Sequence, residues 1–108
     1  MYVRHEADVP SIEMVSGVHR KLLGSRERLM LIQFEIQKGT VVPEHQHESE
    51  QAGYMLEGRF EVIIGGERRI LGPGHSYFIP SNVPHSGFVY EDAKFLDIYS
   101  PPRAEYLG

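Results

Sequence analysis

The segment Glu44-His45-Gln46-His47-Glu48 carries two imidazoles two residues apart, a spacing that puts both on one face wherever the chain is extended. Gln51, four residues past His47, keeps the same parity. A third imidazole, His85, lies far along the chain after Ser81-Asn82-Val83-Pro84, where Pro80 and Pro84 restrict how the backbone approaches a strand. Neutral imidazole suits Mn, Fe, Co, Ni, Cu or Zn, and an amide oxygen can complete the set. The chain has no cysteine, so a metal site must use His, carboxylate or amide donors, and disulfides, zinc knuckles and thiol nucleophiles are excluded. Glu48 and Glu50 are rival ligands, Glu50 with the wrong parity for an extended strand. A His-X-His pair alone is a weak signal, because metal tracts and plain surface histidines share it. His5, His19 and His75 read as surface or turn residues without a site role.

A second group sits near the end of the chain. In Phe95-Leu96-Asp97-Ile98-Tyr99, Leu96 and Ile98 face one way, and Asp97 faces the other with Phe95 and Tyr99. A carboxylate on a lumen-facing strand costs several kcal/mol to bury unless it is paired, hydrogen-bonded or protonated. Ser100-Pro101-Pro102 then turns the chain rigidly and delivers Arg103. Asp97, Tyr99 and Arg103 beside a metal would make a substrate pocket. The simpler alternative is an ion pair of Asp97 with an arginine such as Arg103, with Tyr99 as core.

These residues need elements that bring distant segments together. Met30, Ile32, Phe34 and Ile36 alternate onto one face, as do Phe60, Val62 and Ile64 before the Gly65-Gly66 turn. Further strands are expected at Arg68 to Leu71, Tyr77 to Ile79, Ser86 to Tyr90 and Phe95 to Tyr99. Only Val9 to Met14 reads as a helical turn. Short strands at this spacing imply an all-β sandwich or closed barrel, and 108 residues suffice for one domain. We expect an N-terminal arm with the first strands over 1–28, the barrel over 29–100 and a tail over 101–108. Leu22, Leu23, Leu29, Met30 and Leu31 exceed what one small barrel needs there, so they cover a barrel end or form a dimer surface; we expect a homodimer. A net charge of −4 and a pI near 5.8 argue against nucleic acid as a partner, while leaving room for a local basic pocket. No stretch has the pattern of a signal peptide or of a membrane span, and a cytoplasmic protein is expected.

The wider pattern resembles a known family. Gly39, five residues, His45, one residue, His47, three residues, Gln51, six residues, Gly58 matches the first cupin motif in every spacing, with Gln51 where Glu is usual. Gly74, then Pro80-Ser81-Asn82, then Pro84-His85 resembles the second motif, with Asn82 in place of glycine and Val89 in place of a common asparagine. The resemblance implies a small single-domain cupin, a double-stranded β-helix or jelly-roll barrel. Glu44 to His47, Gln51-Ala52 with Tyr54, Leu56 and Gly58, and Asp97 through Arg103 are similar to pectin-degradation cupins of the KdgF type, as are Gly17-Val18, Arg20-Lys21 and Leu23-Gly24. That resemblance implies one divalent transition metal ion per chain (Zn, Ni, Mn, Fe or Co) on His45, His47, Gln51 and His85, with Asp97, Arg103 and Tyr99 as pocket residues. It implies a uronate-like small-molecule substrate, a 4,5-unsaturated monosaccharide opened to 5-keto-4-deoxyuronate. A neutral Gln51 leaves the ion its full charge, favouring Lewis-acid work over oxygen chemistry. Rival readings are a cupin dioxygenase, a cupin sugar isomerase and a non-enzymatic cupin that binds a small ligand.

Overall fold

Alternating apolar residues and glycine-rich turns divide the described residues into eight strands. The computed structural model describes residues 2–107, so the first and last residues of the expected 1–108 domain lie outside the described residues. In chain order the strands are β1 (Ile12–Val15), β2 (Val18–Ser25), β3 (Met30–Ile36), β4 (Val41–His45), β5 (Glu50–Ile64), β6 (Glu67–Leu71), β7 (Ser76–Ile79) and β8 (His85–Ser100). Short 3₁₀ turns occupy Glu6–Asp8 and Ala104–Tyr106.

All pairings are antiparallel, along the path β1-β2-β3-β8-β5-β6, with β4 also on β8 and β7 also on β5. The long strands β5 and β8 pair with each other along most of their length, from Glu50↔Ser100 to Ile64↔His85. Each has different neighbours at its two ends. β8 begins against β4 at His45↔His85 and finishes against β3 at Met30↔Tyr99. This places the histidine end and the Asp97 end of one strand on the same lumen. The alternation expected for β3 holds: Met30, Ile32, Phe34 and Ile36 are all in the core, with Met55, Phe60, Val62, Val89 and Phe95.

Two expectations need correction. Val9 to Met14 is not a helical turn; Ile12–Val15 is a strand, paired with β2 across the two-residue Ser16-Gly17 turn, where Gly17 has φ +81°. Hairpin pairing satisfies backbone groups that one isolated helical turn leaves open. Ser86 to Tyr90 and Phe95 to Tyr99 are not separate strands but parts of the continuous β8, whose pairing with β5 carries on through Glu91 and Lys94, opposite Arg59 and Glu57. The apolar N-terminal run also divides. Met30 belongs to the core and Leu22 packs against it, whereas Leu23, Leu29 and Leu31 line an open groove with Tyr2, Val3 and Ile98. No helix among the described residues is long and apolar enough to cross a membrane.

Positive φ explains four residues of the motifs, Gly74 at φ +91° among them. Asn82 stands at φ 60°, a conformation asparagine tolerates better than other side chains and glycine best of all. Gly39 and Gly58 have φ +87° and +89°, but their surroundings differ. A Cβ on Gly39 would meet nothing within 4 Å, whereas on Gly58 it would lie 2.2 Å from the Asp92 carbonyl oxygen. Gly58→Ala should therefore cost at least about 2 kcal/mol and Gly39→Ala only about 1 kcal/mol. Urea unfolding at matched slopes measures both; equal losses would show that the close approach of β5 to β8 carries no energetic weight.

Candidate functional site

The three histidines reach one point from two strand ends and a loop. His45 closes β4 and His85 opens β8, directly opposite in register, with ring centroids 4.2 Å apart. His47 follows β4 in the loop before β5, its ring 5.7 Å from His45 and 4.8 Å from His85. Their ligand atoms all lie within 4.8 Å of one another. The shared strand parity expected for His45, His47 and Gln51 is not how they converge. β4 ends at His45 and Gln51 lies on β5, so the intervening turn does the work assigned to alternation.

Each ring is locked by a backbone carbonyl. His45 Nδ1 meets Pro43 O at 2.9 Å, His47 Nδ1 meets Ser49 O at 2.8 Å and His85 Nδ1 meets Val83 O at 2.8 Å. A carbonyl only accepts, so each Nδ1 carries the proton and each Nε2 presents a lone pair. Burial pushes the His85 pKa down to about 4 and lowers that of His47, which keeps both rings neutral near pH 7. His85 Nε2 is buried without a hydrogen-bond partner. His47 Nε2 lies 3.1 Å from Gln51 Oε1; with Nδ1 protonated, two acceptors face each other with no proton between them. Orphaned and opposed lone pairs are costly in a buried site, and a cation resolves both. This donor set therefore fits a metal ion, and His45, His47 and His85 are placed to hold one. Glu48 and Glu50 are exposed and lie outside this cluster.

Gln51 joins this cluster to the acid. Its Nε2 donates to Asp97 Oδ2 at 2.9 Å, while its Oε1 faces His47. Asp97 is 2% exposed, and its other partners are hydroxyls: Tyr77 donates to Oδ1 at 2.5 Å and Tyr99 to Oδ2 at 3.3 Å. Burial raises the Asp97 pKa to about 7 against the opposing pull of these donors and of Arg103. Burial likewise pushes the Tyr77 and Tyr99 phenols well above their ordinary value, so both remain donors.

Arg103 is not the ion-pair partner of Asp97. Its Nε donates to Glu105 at 3.0 Å and its Nη1 to the Tyr106 hydroxyl at 3.0 Å, and its guanidinium lies 4.6 Å from the Tyr106 ring centroid and 5.5 Å from that of Tyr99. Ser49 Oγ donates to Pro101 O, which ties the loop carrying His47 to the turn that delivers Arg103. The remaining histidines behave as surface residues. His5 caps the Glu6–Asp8 turn, His19 lies 3.2 Å from Glu13, and His75 closes the turn at Gly72. Sequence reasoning missed Tyr77 and Tyr106. Tyr77 stood only as a strand residue and Tyr106 as part of a tail, because nothing local to either marks its distant partner.

Eight antiparallel strands among the described residues enclose a three-histidine cluster in a small β-barrel, and residues 32–99 match the cupin domain family. The chain belongs to the cupin family. Within it, the chain is similar to the pectin degradation protein KdgF of Dickeya dadantii (strain 3937), 34% identical over 102 residues that cover 93% of each protein. The solved structure of KdgF from Halomonas sp. superposes with a TM-score of 0.91 at 31% identity, covering 95% of this chain and 96% of that one. An RmlC-like cupin from Shewanella frigidimarina NCIMB 400 superposes with a TM-score of 0.95 at 26% identity, covering 99% of this chain and 96% of that one.

The opposed lone pairs yield a direct expectation. Protein purified without chelators should carry one divalent ion per chain by elemental analysis, and its melting temperature should rise with added metal, since an ion bound only by the folded state stabilises it. His85→Ala should abolish both effects. Ion binding that survives the loss of His85 would place the metal elsewhere.

Proposed function

We propose that this cupin opens the ring of 4,5-unsaturated uronate monosaccharides to the linear 5-keto-4-deoxyuronate. Supporting this reading is the row of polar groups from His47 through Gln51 to the buried Asp97, with Arg103 over the Tyr99 ring, in a chain similar along nearly its whole length to a pectin degradation protein. The ligand set of this reading is His45, His47, His85 and the Gln51 amide oxygen, taking Zn, Ni, Mn, Fe or Co.

The substrate is a cyclic enol ether with a carboxylate, and its product is an isomer. The C1 hydroxyl loses a proton and the C1–O5 bond breaks, leaving an aldehyde at C1. A proton arrives at C4, and the former enol carbon C5 becomes a ketone. His45, His47 and His85 would hold an ion, which would supply Lewis acidity to the reaction. Arg103 binds the substrate carboxylate through the guanidinium donors that Glu105 and Tyr106 leave free, where Lys would offer only a point charge. Asp97 takes the hydroxyl proton and returns a proton to carbon, a task suited to a buried carboxyl whose pKa lies near 7. Tyr99 steadies Asp97 Oδ2 and offers its ring to the guanidinium. Neither electrons nor oxygen enter this balance, in keeping with a neutral Gln51 rather than a carboxylate at the fourth ligand position.

Asp97→Asn keeps the side-chain shape and removes the transferable proton, so kcat should fall by about 10² to 10⁴ while the fold persists. Arg103→Ala should chiefly raise KM, because the carboxylate grip exists before and during reaction. Steady-state kinetics on unsaturated uronate separates the two. Near-normal turnover by Asp97→Asn would remove Asp97 from the mechanism.

A further inference from the structure

β7 and β8 are not neighbours; β5 runs between them, and Gly53 is the residue of β5 in register with both Tyr77 on one side and Asp97 on the other. A Cβ on Gly53 would lie 2.0 Å from Tyr77 Cζ and 2.4 Å from its hydroxyl oxygen. The phenol thus crosses the middle strand through the space where any other residue would carry a side chain. Gly53 is needed here for that close approach and not for backbone conformation, since its φ is not positive. The crossing phenol donates to Asp97 Oδ1, while Gln51 and Tyr99 both donate to Oδ2. The two oxygens of one carboxyl are therefore addressed from opposite sides: Oδ1 from β7, and Oδ2 from the side of the histidine cluster.

We infer that Tyr77, admitted by Gly53, is a positioning residue that anchors Asp97 through Oδ1 and so keeps Oδ2, the oxygen turned towards Gln51 and Tyr99, as the one that handles the proton. This inference rests on the reading of Asp97 as the acid–base group. A carboxyl with two free torsions aims either oxygen at the lumen, and one held at Oδ1 aims only the other. Such support of a working group is worth about 10- to 100-fold in activity. Tyr77 touches neither the histidines nor Arg103 in any recorded hydrogen bond, so its loss should spare the metal and the carboxylate grip.

Tyr77→Phe retains the ring that fills the Gly53 gap and removes only the hydroxyl. In the metal-loaded protein, kcat on unsaturated uronate should fall about 10- to 100-fold with KM and ion content unchanged. In the Asp97→Asn background the same substitution should change kcat no further, because a residue acting only through Asp97 has nothing left to position. Gly53→Ala, which keeps the hydroxyl but displaces it, should reproduce the kcat loss and so provides a second variant should either protein fail to fold. An unchanged kcat in Tyr77→Phe, or an equal fall with and without Asp97, would overturn the inference. Should Asp97→Asn itself turn over normally, the parent reading fails instead, so the two failures are distinguishable.

Discussion

A carboxylate sealed inside a β-barrel is the constraint around which this site is organised. Asp97 has almost no contact with water, and burying a carboxyl costs several kcal/mol unless donors replace the lost hydration. The chain supplies three, from three different strands: Gln51 on β5, Tyr77 on β7 and Tyr99 on β8 itself. Burial still dominates and holds the acid near neutrality. An ordinary ion pair with Arg103 would have pulled it the other way and left an inert structural contact. Instead Arg103 is drawn off by Glu105 and Tyr106, and the acid keeps its raised pKa.

The second organising feature is the set of lone pairs aimed at one point by His45, His47 and His85. Backbone carbonyls fix the tautomer of all three rings, and the Gln51 oxygen joins them with no proton to share. Gln51 is thus common to both halves of the site. Its oxygen turns to the histidines and its nitrogen to the acid, so the placement of one amide sets the distance between the histidine cluster and Asp97. A glutamate at this position could not donate to Asp97, and the two carboxylates would repel. The glutamine therefore answers an electrostatic problem set by Asp97. The loop carrying His47 and the turn before Arg103 are joined by the Ser49 to Pro101 hydrogen bond.

Much of this was legible in the sequence because strand alternation and motif spacing are local. The inward faces of Met30 to Ile36 and of Phe95, Asp97 and Tyr99 follow from parity alone, and the structure agrees. The histidines were found by their types and spacing, yet the reason given for their convergence was wrong: a turn, not a shared strand face, brings Gln51 back to His47. What escaped depends on pairing across the barrel. Tyr77 reaches Asp97 over twenty residues of sequence and through a missing side chain on the strand between them. No local pattern announces that Gly53 is a gap rather than a turn. Similarly, the nearness of Arg103 along the chain does not show that its guanidinium turns to Glu105 and Tyr106 rather than to Asp97.

The central claim is that an ion on three histidines and a buried acid together open an unsaturated uronate ring without redox chemistry. It is tested most directly by mixing metal-loaded protein with 4,5-unsaturated uronate under nitrogen and following the ultraviolet absorbance of the conjugated double bond. The account predicts catalytic loss of that absorbance without oxygen, with a product of unchanged mass. Protein that carries its ion yet leaves the absorbance untouched, or that acts only when oxygen is admitted, would contradict it.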